Sequence, residues 1–234
     1  MQRRHFTLAA WGSAGSLLLF ASVQAHALSL ADLSNADASS GLKGALEQGA
    51  TAAVRLLGQD GGFLNNPQVR IGLPGYLADA ARMMKRLGQG RRIEELETAL
   101  NRAAESAVPM GRDLLVGAVR NMSVLDAKNI LAGGDRSVTQ FFSDKTRAPL
   151  GAKFLPVVTQ ATRQVGLAQQ YNTFASKAAG FRLIRQEDAS VEQYVTGKTL
   201  DGLFHVIGEQ EQQLRQNPAA AASAVVQKVF GALR

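Results

Sequence analysis

The sequence predicts an all-α protein, an irregular bundle of about eight to ten short and medium helices with one ordered irregular loop near residues 58–75. Two observations carry that prediction. Apolar residues return every third or fourth position in nearly every stretch after residue 34, and no β-branched alternating run of useful length occurs. The helical stretches are bounded by glycine, proline and capping residues, so each is too short to be stable alone and must pack on its neighbours.

In chain order, Ser34 with Asp37 makes a capping box, and the stripe Leu42, Leu46, Gly49, Ala53, Leu56 and Leu57 follows, ending at Gly58. Residues 58–75 hold turn chemistry at Gly58–Gly62 and Asn65-Asn66-Pro67, and Val69-Arg70-Ile71 alternates as a very short strand would. Pro74 suits the first turn of a second helix that points Leu77, Ala81, Met84 and Leu87 inward and stops near Gly88-Gln89-Gly90. A third helix runs from about Arg92 to Ala107 on Ile93, Leu96, Leu100, Ala103 or Ala104, and Ala107. Pro109 breaks it and starts a fourth with Leu114, Ala118 and Met122.

Ser123 with Asp126 forms a second capping box for a short helix ending at Gly133-Gly134. Asp135 then caps a helix with Val138, Phe141 and Phe142. A separate segment after Pro149 carries Phe154, Val157, Val158 and Ala161, with Pro156 starting or kinking it. Tyr171, Phe174 and Ala178 mark the next element, residues 180–189 read as a polar loop, and Ser190 with Gln193 opens a long helix to about Gln216. Pro218 opens a last helix with Val225, Val226, Val229 and Phe230.

The N-terminus is set apart from this fold. Arg3 and Arg4 precede an uncharged run from Phe6 to Val23, and Ala25-His26-Ala27 places small residues where a signal peptidase reads them. Residues 1–27 are therefore expected to be a cleavable signal, cut after Ala27, leaving residues 28–234 as one helical domain in the periplasm. The paired arginines with Phe6 two positions on also fit a twin-arginine signal, and the choice between the two export routes stays open. Loss of Arg3 and Arg4 reduces 26 basic residues to 24 against 19 acids, a net charge of +5. A mildly basic surface permits attraction to anionic envelope material without demanding it. The absence of cysteine excludes disulfides, thiol catalysis, thiolate metal sites and a lipid-anchored mature N-terminus.

Three groups of side chains are candidates for function. Arg82, Lys85 and Arg86 share a helix face, and Arg91 and Arg92 follow before any acid. Cations at the end of one helix suit its dipole, but Arg91 and Arg92 at the start of the next do not, so capping does not explain them. They suit contact with an anionic surface; the plain alternative is a solvated face paired with Glu94, Glu95 and Glu97. A loop site could be built from Asp60, Asn65, Asn66 and Asp135: the first three could offer oxygens to a hard cation, although their spacing is not that of a calcium loop and turn formation explains all three, and Asp135 is better explained as an N-cap. Asp201, His205 and Glu209 lie one turn apart on one face, where a carboxylate could orient the imidazole for acid–base work. A solvated surface cluster beside the buried Phe204 and Ile207 is the preferred explanation, since no nucleophile or second base accompanies them. Gly197-Lys198-Thr199 ends like a phosphate-binding loop, but it lies in a helical pattern with Glu192 where the motif needs glycine, and is rejected.

Four separated motifs are Gly62-Phe63-Leu64-Asn65-Asn66-Pro67, the segment from Asp126-Ala127-Lys128-Asn129-Ile130-Leu131 through Gly133-Gly134-Asp135, Lys153-Phe154-Leu155-Pro156, and Leu200-Asp201-Gly202-Leu203-Phe204. Together they resemble the bacterial domain of unknown function 4197 family over about residues 29–231. The resemblance implies an exported helical protein and brings no activity, cofactor or catalytic residue. With no catalytic constellation, a basic patch and a helix-only architecture able to form an apolar groove, the expected function is a non-enzymatic envelope protein binding an apolar or anionic ligand, or a protein partner. No cofactor, metal, nucleic-acid partner or membrane span after signal cleavage is expected. The alternatives are an enzyme or cofactor carrier using the 62–67 and 133–135 loops, and an assembly role resting on an exposed apolar patch.

Overall fold

The computed structural model describes residues 35–74, 81–83, 85–163, 171–172 and 190–217. Among these, every regular element is helical and no strand forms. Among the described residues six α-helices are bounded, where the sequence predicts about eight to ten in the whole chain: α1 (Asn35–Gly58), α2 (Gly90–Ala107), α3 (Arg112–Arg120), α4 (Val124–Ala132), α5 (Ser137–Thr162) and α6 (Val191–Gln216). A wide turn (Lys85–Gln89) precedes α2, and a 3₁₀ turn (Val108–Gly111) carrying Pro109 joins α2 to α3. The Ser34 cap, Leu77, the side chain of Met84, Phe174 and Ala178, the 180–189 loop and the helix after Pro218 lie outside the described residues.

One apolar cluster joins these elements. Leu42, Leu46, Ala53 and Leu57 of α1 meet Leu100 and Ala104 of α2, Phe142, Leu150 and Phe154 of α5, and Leu203 and Ile207 of α6. The α5–α6 pair is the most extensive, with α2 on α5 and α1 on α3 and α6.

Several elements differ from expectation. The helix opening near Val138 and the segment after Pro149 are one continuous α5 of 26 residues, which contains both Pro149 and Pro156. A proline inside a helix loses one hydrogen bond and crowds the carbonyl four residues back. Here both prolines, and Lys145 and Ala152 whose carbonyls they orphan, face solvent. Phe142, Leu150, Phe154 and Val158 meanwhile form an unbroken buried stripe, and its packing holds the helix together.

Asp135 does not cap α5. The helix starts at Ser137 after an Arg136 that offers no side-chain cap. Its first amides are instead satisfied by buried Glu211 of α6, whose carboxylate accepts from the N–H groups of Val138 and Thr139, both at 3.1 Å. A negative charge there also meets the positive end of the helix dipole. Residues 69–71 are not a strand: the Ile71 N–H donates to Asn101 Oδ1 and the Ile71 carbonyl accepts from Asn101 Nδ2, both at 2.8 Å. One amide side chain thus does what a neighbouring strand would do.

Leu87, expected inside, is 69% exposed, because Gly88 beside it takes φ +79° and turns the chain away from the core before α2. Leu56 is also exposed, and α3 buries Leu115 and Val119 rather than Leu114 and Ala118, one residue round the helix from the expected stripe. The Ser123–Asp126 capping box forms in both directions, and the Ser190 hydroxyl accepts from the Gln193 N–H.

Candidate functional site

The Gly62–Pro67 loop is built as a packing element. Gly61 takes φ +83°, and a Cβ on Gly62 would lie 2.5 Å from the carbonyl oxygens of Leu56 and Leu57, so the turn after α1 closes only with glycine. Phe63 is then driven fully into the core. It lies against Gly202 of α6, where a Cβ would come within 2.7 Å of the ring and 3.2 Å of Val69. Gly62-Phe63 and Asp201-Gly202, two of the family-like motifs, are thus the two sides of one contact.

The loop backbone is held from α2. Glu105, 4% exposed, accepts from the N–H groups of Phe63 and Leu64, both at 3.0 Å, and pairs with Arg102 at 2.7 Å. Asn101, one turn earlier, binds Ile71 as described above. From α6, the Tyr194 hydroxyl donates to the Gly72 carbonyl at 2.9 Å. The candidate loop residues serve the same end: Asp60, 98% exposed, pairs with Arg102 at 3.1 Å, and Asn66 Oδ1 accepts from the Gln68 N–H at 3.1 Å. Asn65 is exposed. Asp135 lies in the turn before α5, away from these three, so the four do not form a shared cage. Among the described residues no cluster of three or more His, Asp or Glu is placed to hold a metal ion.

The α5–α6 seam holds a groove of about 540 Å³. Asp201, His205 and Glu209 line one wall, Thr139, Ser143 and Arg147 the other, and Asp135 the end. The wall is polar over a Phe204 floor. Arg147 pairs with Asp201 at 2.6 Å and stands 5.8 Å from the Phe204 ring centre. His205 Nε2 lies 3.5 Å from Glu209 and 3.1 Å from Gln68 Oε1, so the imidazole bridges α6 to the loop. A second chamber of about 390 Å³ shares Arg147 and Asp201 with the first, so the ion pair forms a bar between them. This arrangement can bind polar groups. Among the described residues no serine or threonine hydroxyl is hydrogen-bonded to His205, whose ring nitrogen meets Gln68 and Glu209.

The basic group stands apart: none of Arg82, Lys85, Arg86, Arg91 and Arg92 lines either chamber. All five are exposed around the turn into α2, and Met83 and Leu87 among them are 65% and 69% exposed. Arg91 pairs with Glu95 at 2.9 Å along the helix.

Sequence reasoning passed over Arg147, Thr196, Asn101, Glu105 and Glu211. For Asn101 and Glu105 a signal existed: Glu97, Asn101 and Glu105 fall at four-residue spacing beside the apolar stripe of α2. That spacing reads the same on a solvated face.

An all-α fold, a loop latched by a buried carboxylate and a polar groove on the α5–α6 seam define a helical protein. The family described as Protein of unknown function (DUF4197) matches residues 32–231, and the chain belongs to it. Comparison with curated proteins and with solved structures gives no match.

Proposed function

We propose that this chain is an exported, non-enzymatic envelope protein that seats on an anionic lipid surface through the tip between residues 82 and 92. The observation that carries the reading is the mixture at that tip: five cations surround Met83 and Leu87, both of which project into solvent. A purely solvated basic face has no use for two large exposed apolar side chains, whereas a membrane-surface contact uses both kinds. The cations meet lipid phosphates and the apolar groups enter the headgroup boundary. Among the described residues no helix is long and apolar enough to cross a membrane, which agrees with a surface contact. Export is supported by Arg3 and Arg4, the uncharged run after them and Ala25-His26-Ala27. The enzyme alternative has less behind it, because the amides and carboxylates around Gly62–Pro67 are committed to holding the loop.

The test is co-sedimentation with vesicles of phosphatidylglycerol and of phosphatidylcholine in low salt. Binding is expected to phosphatidylglycerol only. Reversing Arg82, Lys85, Arg86, Arg91 and Arg92 to glutamate is expected to weaken it at least about tenfold, since each basic residue near an anionic surface contributes about 1 kcal/mol. Equal binding to both lipids, or an unchanged affinity in the reversed variant, discards the reading. Cell fractionation that leaves the protein in the cytoplasm discards the export part alone.

A further inference from the structure

We infer that the smaller chamber on the α5–α6 seam, beside Lys198, is a binding site for a small organic anion: a carboxylate or phosphate head on a short apolar body. Its chemistry is independent of the basic tip.

The first observation is a hydroxyl out of place. Thr146, Thr159, Thr162 and Thr199 each donate to the carbonyl four residues back, at 2.6, 2.7, 2.9 and 2.7 Å. This is the ordinary fate of a threonine inside a helix. Thr196, on the same α6 as Thr199, is 7% exposed, and its hydroxyl has no hydrogen-bond partner. Leaving a buried hydroxyl unsatisfied costs about 1–3 kcal/mol, and such a group in a folded protein calls for an explanation. Thr196 lines the chamber, and its buried hydroxyl is the group that a ligand there would satisfy once the side chain turns toward it.

The second observation is charge. The chamber is lined by Arg147 and Lys198 and by a single carboxylate, Asp201. Both cations already converge on it, Arg147 at 2.6 Å and Lys198 at 3.5 Å. Two positive charges against one negative leave room for one more anion. The longer, looser Lys198 contact is the one an incoming oxyanion exchanges, with Arg147 left in place on Asp201.

The third observation is shape. Leu155 and Leu200 add apolar wall to a chamber of about 390 Å³, a size that suits a small molecule rather than a polymer. An inorganic ion alone would leave that wall unused.

The test uses the purified protein labelled with ¹⁵N and titrated with sodium hexanoate and with hexyl phosphate, with hexanol as the neutral control. Saturable shifts at the Gly151 and Gly197 amides are expected with one or both anions, and the stronger of the two identifies the head group. Lys198→Met is expected to weaken binding at least about tenfold through loss of a charge-assisted contact. Thr196→Val is expected to weaken it roughly fivefold while leaving the melting temperature unchanged or raised, because an unsatisfied hydroxyl is removed. Three results overturn the assignment: no saturable shift with either anion, equal shifts with hexanol, or unchanged affinity in either variant. Lys198 is half exposed, so its replacement tests binding without endangering the fold. The charge-reversed tip variant is expected to bind the anions as the parent does, which separates this site from the surface contact.

Discussion

Glu105 and Asp60 both pair with Arg102, at 2.7 and 3.1 Å, yet their energetic roles differ widely. Asp60 is fully hydrated, and exposed ion pairs are worth about 0–1 kcal/mol. Glu105 is buried and accepts two loop amides besides, so removing it strands two N–H groups, while Arg102 keeps Asp60 and solvent. Glu105→Ala is therefore expected to cost about 2–4 kcal/mol in urea unfolding, through two unsatisfied N–H groups, while Asp60→Ala stays within roughly 0.5 kcal/mol. Similar losses in the two variants would show that the loop is not latched by Glu105.

Asp126 offers a contrasting test, governed by pH. The Ser123 hydroxyl and then the Ser123 N–H donate to its carboxylate and hold its pKa below the ordinary aspartate value, with Lys145 adding a little. A carboxyl depressed on folding contributes stability that is present above about pH 4 and lost as pH falls through the lowered value. Asp126→Asn is therefore expected to melt earlier than the parent at pH 7, and the gap should close on acidification. A gap that persists at pH 2 would rule out the ionised box. This pair was legible in the sequence, because a capping box is a local pattern of fixed spacing. Glu105 was not, because its partners lie some forty residues away, and local spacing says nothing about them.

At the scale of elements, the prolines of α5 mark the limit of local reading. Each is a sound reason to end a helix, and the structure runs a helix through both. What local rules leave out is the buried stripe from Phe142 to Val158, whose packing outweighs the lost bonds. If the prolines are tolerated rather than needed, Pro149→Ala should restore a hydrogen bond to Lys145 and relieve the crowding. A helix-interior proline costs about 3 kcal/mol, offset by about 1 kcal/mol through its stiffening of the unfolded chain. The variant is accordingly expected to gain about 1–2 kcal/mol in unfolding free energy. A loss would mean that a bend at Pro149 is required by the packing of α5 on α6. The glycines of the family-like motifs work at this scale too: Gly202→Ala is expected to lose about 1–3 kcal/mol, because Phe63 must shift to make room. No single helix displays that requirement. It arises where α6 crosses the loop after α1.

Over the whole molecule, the all-α class followed from periodicity alone, whereas the site followed only in part. Asp201, His205 and Glu209 could be placed on one face from their spacing, but the opposing wall with Arg147 depends on how α5 crosses α6, which periodicity does not encode. The basic tip was legible as charge. Its apolar half was not, because Leu87 occupies a position that a continuous helix would have buried, and Gly88 removes it from the core. That pairing of charge with exposed apolar surface yields a prediction about the kinetics of the whole protein on a phosphatidylglycerol surface. Capture by the net positive charge acts at a distance and is screened over about 10 Å at 0.1 M salt, so the association rate should fall steeply as salt rises. Retention by Met83 and Leu87 depends on apolar contact and is far less sensitive to salt. In surface plasmon resonance, Met83→Ser with Leu87→Ser is expected to leave association unchanged and to speed dissociation several-fold, whereas the charge-reversed tip loses association. If the serine variant dissociates no faster than the parent, the two side chains do not enter the lipid, and the tip holds its surface by charge alone.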